Sequence, residues 1–411
     1  MSGDPPLGPP GEALAALTRP AGREDPYPRY EALRAHGNLV RVKPDLVVAV
    51  GYAESDRVLR EPRLRVPDAA SYDRVYPGWR AHSSLRAYTD SMLYRNPPDH
   101  ARMRRLVSGG FTPRRVAGLR PAVVRMTDRL LDQLAAAGAG GRPVDFIAEF
   151  ASRLPIAVIS GLLGVPERDH AWFRTVAADV TLALEGVTNV PGLAPADLAM
   201  DELAGYFRAL IRHRRRHPAG DLVSALVREQ PARGDRLSPD ELVGNLMLML
   251  TAGFETTSFL LGHGLQLALA HPRYADRLRT EPEFATGFVE ELLRFEAPVQ
   301  ATSRWTGEAV ELAGTVLPAG TKVVVVLAAG NRDPRRYHRP QVFDPDRRDV
   351  APLSFGAGGH FCLGAPLARM EAQIALPRLL SRFPRLAVAG PPTRRDTWVG
   401  RGLDRFPVTT G

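Results

Sequence analysis

Apolar residues crowd this chain most densely between positions 242 and 270, where they occupy nearly every face of a helix rather than one stripe. Ser238-Pro239-Asp240-Glu241 stands just before the run and reads as a capping box with proline at the first helical position. A helix is therefore predicted to start at residue 239 and run for about thirty residues, on the order of 45 Å. The run is long enough to span a bilayer, but Asn245, Glu255, Thr256, Thr257, His263 and Gln266 interrupt it, which fits a helix buried in the centre of a large domain.

Helical patterning also predicts a helix over residues 28–36 and helices through most of 112–271, broken at Gly138-Ala139-Gly140-Gly141, Gly164-Val165-Pro166 and Pro218-Ala219-Gly220. Two β-rich runs, 39–42 and 46–50, flank Pro44-Asp45 as a hairpin does, and strands are expected again at 309–312 and 322–327. Residues 66–94 show no clear period and read as a long irregular loop. Residues 185–195, weakly periodic with Gly and Pro, read as a helix-to-helix loop able to move. Residues 1–25 are expected to be a flexible N-terminal arm and 26–411 a single domain. The fold class is mainly α with small β-sheets.

Composition changes this picture little. The chain has 411 residues and a net charge of +9, but arginine carries almost all the positive charge and is spread along the chain, so a nucleic-acid partner is not expected. A signal peptide or membrane anchor pattern is not seen at the start, and a cytoplasmic, monomeric protein with no membrane partner is expected. The single cysteine excludes an intramolecular disulfide and a multi-cysteine zinc site and suggests a reducing compartment.

That cysteine, Cys362, sits in Phe355-Gly356-Ala357-Gly358-Gly359-His360-Phe361-Cys362-Leu363-Gly364-Ala365-Pro366. The glycines let the backbone turn tightly beside a flat ligand, and Pro366 suits the first turn of a following helix. A sulfur at such a helix start favours the thiolate and is a plausible metal ligand, whereas a lone cysteine is otherwise a small buried hydrophobe. His100 and Arg104 lie four apart on one predicted helix face and can grip one anion, or simply face solvent. In Ala252-Gly253-Phe254-Glu255-Thr256-Thr257 the Thr256 hydroxyl can bond back to the Ala252 carbonyl, widening the helix locally into a groove that holds water; a satisfied threonine beside an acid paired elsewhere reads equally well. Glu291 and Arg294, three apart, suit a charge-assisted pair.

Taken together, Phe355, Gly358, His360, Cys362 and Gly364 at their spacing, with the segments above in order, resemble the cytochrome P-450 family. The resemblance spans residues 25–408. It implies the family's α-rich triangular prism with a long central helix over the haem, and haem b with the Cys362 thiolate as axial ligand. It implies that His100, Arg104, Arg304 and His360 hold the haem propionates and that Ala252, Phe355, Gly356 and Gly364 also border the cofactor. Glu255 and Thr256 match the acid–threonine pair that stabilises bound oxygen and relays protons for O–O cleavage. Glu291, Arg294 and Arg347 match the buried triad that fixes the segment leading to the haem loop. Ala357 and Gly359 are small where many relatives carry bulkier residues, so a more flexible loop is expected.

The activity so implied is that of a haem-thiolate monooxygenase that hydroxylates or epoxidises a hydrophobic small molecule, in natural-product or antibiotic biosynthesis. Electrons from a reduced nicotinamide nucleotide would arrive through a ferredoxin reductase and a ferredoxin, with Arg102 and Arg105 as docking charges. Residues 72–93 and 182–194, with Leu93, Met249, Ala252, Val299, Ala301 and Val399, are expected around the substrate. The alternatives are an oxidase that couples or closes rings on the same scaffold and a non-catalytic auxiliary homologue; retention of Cys362, Glu255 and Thr256 argues against the latter.

Overall fold

Valine-rich strands buried on both faces organise the first part of the computed structural model, which describes residues 9–184, 192–228 and 236–411. Leu39–Lys43 pairs antiparallel with Leu46–Ala49, which runs parallel to Lys322–Val325; Thr302–Thr306 and then Leu64–Arg65 extend the sheet antiparallel. Because side chains alternate along a strand, Val47, Ala49, Val323 and Val325 enter one apolar cluster with Leu59, Leu353 and Ala357. Val48, Val50, Val324 and Val326 enter the other, with Leu17, Tyr30 and Leu33. Burial on both sides is why these strands read as continuous apolar runs rather than as alternating ones.

Where the sequence predicts one domain over residues 26–411, the chain divides into two compact units and crosses between them repeatedly. The first takes in the chain up to Pro67, Glu290–Cys362 and Arg394–Arg401; the second takes in Asp68–Val289, Leu363–Thr393 and Gly402–Gly411. Within the stretch expected as a flexible arm, residues 1–25, Pro9–Ala16 and Pro20–Glu24 are helices. Leu17 between them is fully buried against Tyr30 and Leu33, so burial of one leucine tethers a proline-rich segment whose composition alone reads as loose.

The long helix of the second unit runs Pro239–Ala270, and both halves of its capping box form: Ser238 Oγ accepts from Glu241 N at 3.1 Å and Glu241 Oε2 accepts from Ser238 N at 2.8 Å. Every residue from Leu242 to Thr251 is buried, as the all-round apolar pattern requires. Residues 66–94, expected as an irregular loop, are instead mostly short helices, Ala69–Val75 and Ser83–Asp90, with single turns at Trp79–Ala81 and Met92–Tyr94. Each is too short to show a period; Asp68 caps the first, and edge-on contacts of Tyr94 with Tyr72 and Tyr88 tie them together. Asp197, on the helix Ala194–Arg216, caps the second by accepting from Ser84 N at 2.9 Å. That helix ends in a basic turn of His213, Arg214, Arg215 and Arg216, and Arg214 pairs with Asp221 at 2.5 Å. Among the described residues no helix is long and apolar enough to cross a membrane.

On the helix Ala365–Arg382, Glu371 is 2% exposed, its Oε2 lacks a hydrogen-bond partner, and burial holds its carboxyl well above the usual carboxylate range. An acid raised in the fold keeps a proton that the unfolded chain releases, so the folded form loses stability as pH rises past the ordinary value of 4.5. Glu371→Gln removes that loss. Thermal unfolding is expected to show the variant more stable at about pH 8 by about 1 kcal/mol or more, with the gain shrinking towards about pH 4.

Candidate active site

In the first unit the loop around Cys362 is closed on itself and pinned from behind. Gly356 adopts φ 69°, ψ −163°, a turn into Gly358–His360 follows, and Cys362 N donates to Phe355 O at 2.9 Å. Gly358 has φ +67°, and a Cβ there would stand 2.5 Å from the Leu59 carbonyl oxygen, so only glycine lets the loop lie against the helix Tyr52–Arg60. Ala357 is 3% exposed and packs among Val58, Leu59 and Leu353. The small side chain that led to the expectation of a flexible loop is thus an anchor. His360 and Phe355 are half-buried, while Cys362 is exposed, which removes the small-buried-hydrophobe reading of this cysteine.

The approach to the loop hangs on a buried ion pair. Glu291 and Arg294 are both 0% exposed and joined by two bonds of 2.6 and 2.7 Å. Arg347 reaches Glu291 at 3.3 Å, and Glu291 also accepts from Asp344 N at 2.9 Å. The remaining Arg294 donors go to the carbonyls of Asn331, Pro340 and Val342. Asn331 completes the link. Its Oδ1 accepts from Leu353 N at 2.7 Å and its Nδ2 donates to Ser354 Oγ, which donates to Leu293 O at 2.5 Å.

Arg304 on the strand Thr302–Thr306 is 6% exposed, and it donates to Ser303 O and Thr302 Oγ1. No carboxylate compensates it among the described residues, and burial pushes the guanidinium down to about 10. A cation left in this condition matches an anionic group presented to the strand. Val299 and Val399 come together, since Val299 bridges to Gly400 and Gln300 N donates to Val399 O at 2.8 Å; both valines are half-buried. Ala301, also expected beside a substrate, is 4% exposed and shares an apolar cluster with Leu17, Tyr30 and Val324.

In the second unit the long helix opens at a single turn. Ala252 is exposed and Gly253, Glu255 and Thr256 are half-buried, between a buried run to Thr251 and another from Thr257 to Leu265. Spacings of three and four put Ala252, Glu255 and Thr256 on one face, with buried Met249 one turn earlier. Thr256 Oγ1 donates to Ala252 O at 2.8 Å, as predicted, but the helix is not widened there. Gly253 serves packing, because a Cβ on it would meet Ile159 of the helix Arg153–Leu163 at 3.1 Å.

Glu255 Oε1 accepts from Thr181 Oγ1 at 3.2 Å, a contact 74 positions apart in sequence that no motif marks. His100, 5% exposed, and half-buried Arg104 share the helix Asp99–Ser108. Half-buried Leu93 lies in a turn whose Met92 N donates to Asn245 of the long helix. Gly364 is the N-cap of Ala365–Arg382, with Pro366 in its first turn as predicted. Arg102 does not serve as a free docking charge. It holds Glu241 by bonds of 2.6 and 3.1 Å and donates to Arg236 O, and the bond to Glu241 raises its guanidinium above the usual range. Arg105 on the same helix is exposed. Of residues 182–194, expected near substrate, 185–191 lie outside the described residues.

Within the first unit, a glycine-pinned, exposed cysteine and a buried arginine with no carboxylate partner among the described residues fit the demands of an acidic, sulfur-ligated cofactor. The cytochrome P450 family model matches residues 196–398. Cytochrome P450 monooxygenase PikC of Streptomyces venezuelae is 42% identical over 93% of this chain and 91% of its own. The 6-deoxyerythronolide B hydroxylase of Saccharopolyspora erythraea is 36% identical over 93% and 96%. The crystal structure of Mycobacterium smegmatis CYP164A2 in its ligand-free state superposes with a TM-score of 0.86 at 34% identity, covering 97% of this chain and 100% of that one. The chain belongs to the cytochrome P450 family. It is an oxygen-incorporating oxidoreductase whose cofactor is haem on a cysteine thiolate, and Cys362 is the single cysteine available.

Gly358→Ala forces a side chain into the Leu59 carbonyl at an unfavourable φ, so it is expected to lower haem content per chain and to cost about 2 kcal/mol or more. Gly359→Ala, at an exposed position outside the positive-φ region, is expected to leave both unchanged. The haem-to-protein absorbance ratio and thermal unfolding of the two variants check this.

Proposed function

We propose that the protein hydroxylates or epoxidises a hydrophobic small molecule in natural-product biosynthesis, using dioxygen and electrons delivered by a ferredoxin and its reductase. The observation that carries this reading is the opening at Ala252, Glu255 and Thr256 in an otherwise buried helix, in a chain whose family builds monooxygenases. When bound, haem supplies the redox chemistry, and thiolate ligation favours O–O cleavage.

The protein's own residues bind, orient and move protons. Arg304 meets a haem propionate, which relieves its uncompensated burial, and His100, Arg104 and His360 are the further cationic candidates for the two acidic side groups. Phe355, Gly356 and Gly364 border the cofactor at the Cys362 loop. Thr256 has its hydroxyl proton committed to the Ala252 carbonyl, so its oxygen is left to accept a hydrogen bond at the open face. Glu255, on the same face, carries a proton from solvent to that place. Leu93, Met249 and Ala252 offer the substrate apolar surface in the second unit, and Val299 and Val399 do so in the first.

The relatives are named for different substrates: one for hydroxylating 6-deoxyerythronolide B and another for hydroxylating vitamin D(3). Titration of the haem-loaded protein with macrolactones, sterols and fatty acids, read by the shift of the haem absorption band, selects a bound compound. Turnover of it under labelled dioxygen, with a ferredoxin pair, is then expected to yield a product carrying one labelled oxygen atom. A product that has lost hydrogen and carries no label would contradict the proposal and favour a coupling or ring-closing oxidase.

A further inference from the structure

Glu255 is the acid that the proposed reaction depends on, and its carboxylate is held from another element. Thr181 opens the short turn Thr181–Leu184 at the end of the helix His170–Val180. Val180 at 0% and Ala183 at 5% exposure anchor that turn on either side, while Thr181 itself is half-buried. From this seat Thr181 Oγ1 donates to Glu255 Oε1 at 3.2 Å. An ionised carboxylate only accepts, so the hydroxyl is the donor and its proton marks where one carboxylate oxygen rests.

We infer that Thr181 is a positioning residue: its hydroxyl fixes one oxygen of Glu255 and thereby sets the direction in which the other delivers a proton to the open turn of the long helix. This rests on the proton-carrying role proposed for Glu255. A glutamate has three side-chain torsions between its backbone and its oxygens, so the helix alone does not orient the carboxyl. The half-buried turn lets it reach several directions, and the hydrogen bond from Thr181 favours those that keep Oε1 beside the hydroxyl. Hydrogen bonds to charged groups are strong enough to matter here, and placing a proton donor within reach of its acceptor controls rate directly. Thr181→Val keeps the β-branched shape and removes only the hydroxyl.

The test uses haem-loaded protein with dioxygen, excess reduced ferredoxin and no organic substrate. Dioxygen then takes two electrons and two protons to give hydrogen peroxide, or four of each to give two waters, so both routes consume protons. Nicotinamide oxidation is measured in light and heavy water for Thr181→Val, Thr181→Ser, Glu255→Gln and the Thr181→Val/Glu255→Gln double variant. Hydrogen exchange of the amides of residues 181–184 is measured alongside.

Thr181→Val is expected to slow oxidation roughly tenfold, to enlarge the solvent isotope effect and to raise exchange in the turn. Thr181→Ser is expected to stay near the parent in all three, and Thr181→Val is expected to add no further slowing in the Glu255→Gln background. Parent-like behaviour of Thr181→Val while Glu255→Gln is slow, or equal slowing by Thr181→Val in both backgrounds, overturns the inference alone. Parent-like behaviour of Glu255→Gln overturns the proton-carrying role beneath it, and the inference with it.

Discussion

A carboxylate and two guanidinium groups withdrawn from water hold the first unit in the shape that its cysteine loop requires. Burying Glu291 with Arg294 is costly in itself, since both lose their hydration, and such a pair is no simple source of stability. Its value lies in where the spare hydrogen bonds go. Arg294 reaches three carbonyls between residues 331 and 342, Arg347 and the Asp344 amide close on Glu291, and Asn331 passes the constraint on to Leu353 and Ser354. Two residues later the chain enters the glycine turns that end at Cys362. Removing one partner would leave an uncompensated buried charge at a cost of about 3–5 kcal/mol, and the geometry lost with it would be that of the sulfur.

The second unit meets a different constraint. A helix of 32 residues, apolar on nearly every face, has to be covered, and it is, except at the turn bearing Ala252. That exception places an acid and a threonine on the only part of the helix's buried middle where polar side chains reach open space among the described residues. Gly253, about 100° further round the helix, lets Ile159 approach, so two adjacent small residues differ: the face at Ala252 is exposed and the face at Gly253 is closed by a neighbour. The long helix is fastened at its start by its own capping box and by Arg102, which grips the capping glutamate.

Much of this was legible in the sequence because it is written in local patterns. The capping box, the all-round apolar run, the valine-rich strands, the three-residue spacing of Glu291 and Arg294 and the glycine spacing before Cys362 each depend on residues close to one another. What escaped depends on distance. Residues 9–24 read as a loose arm because one buried leucine, Leu17, outweighs their composition. Residues 66–94 read as a loop because their helices span only about two turns each, too few to establish a pattern, and are capped and packed by partners such as Asp197. Arg102 looked free because its carboxylate stands on another helix, and Thr181 and Asn331 carried no signal because their partners are remote.

The account depends on a single anion of sulfur at position 362 bonding the haem iron, and carbon monoxide reports that bond directly. The reduced, haem-loaded protein under carbon monoxide is predicted to absorb at the long wavelength of a thiolate-ligated haem, and Cys362→His to lose that band. A parent protein whose adduct absorbs like a histidine-ligated globin, or which takes up no haem when haem is plentiful, would contradict the account.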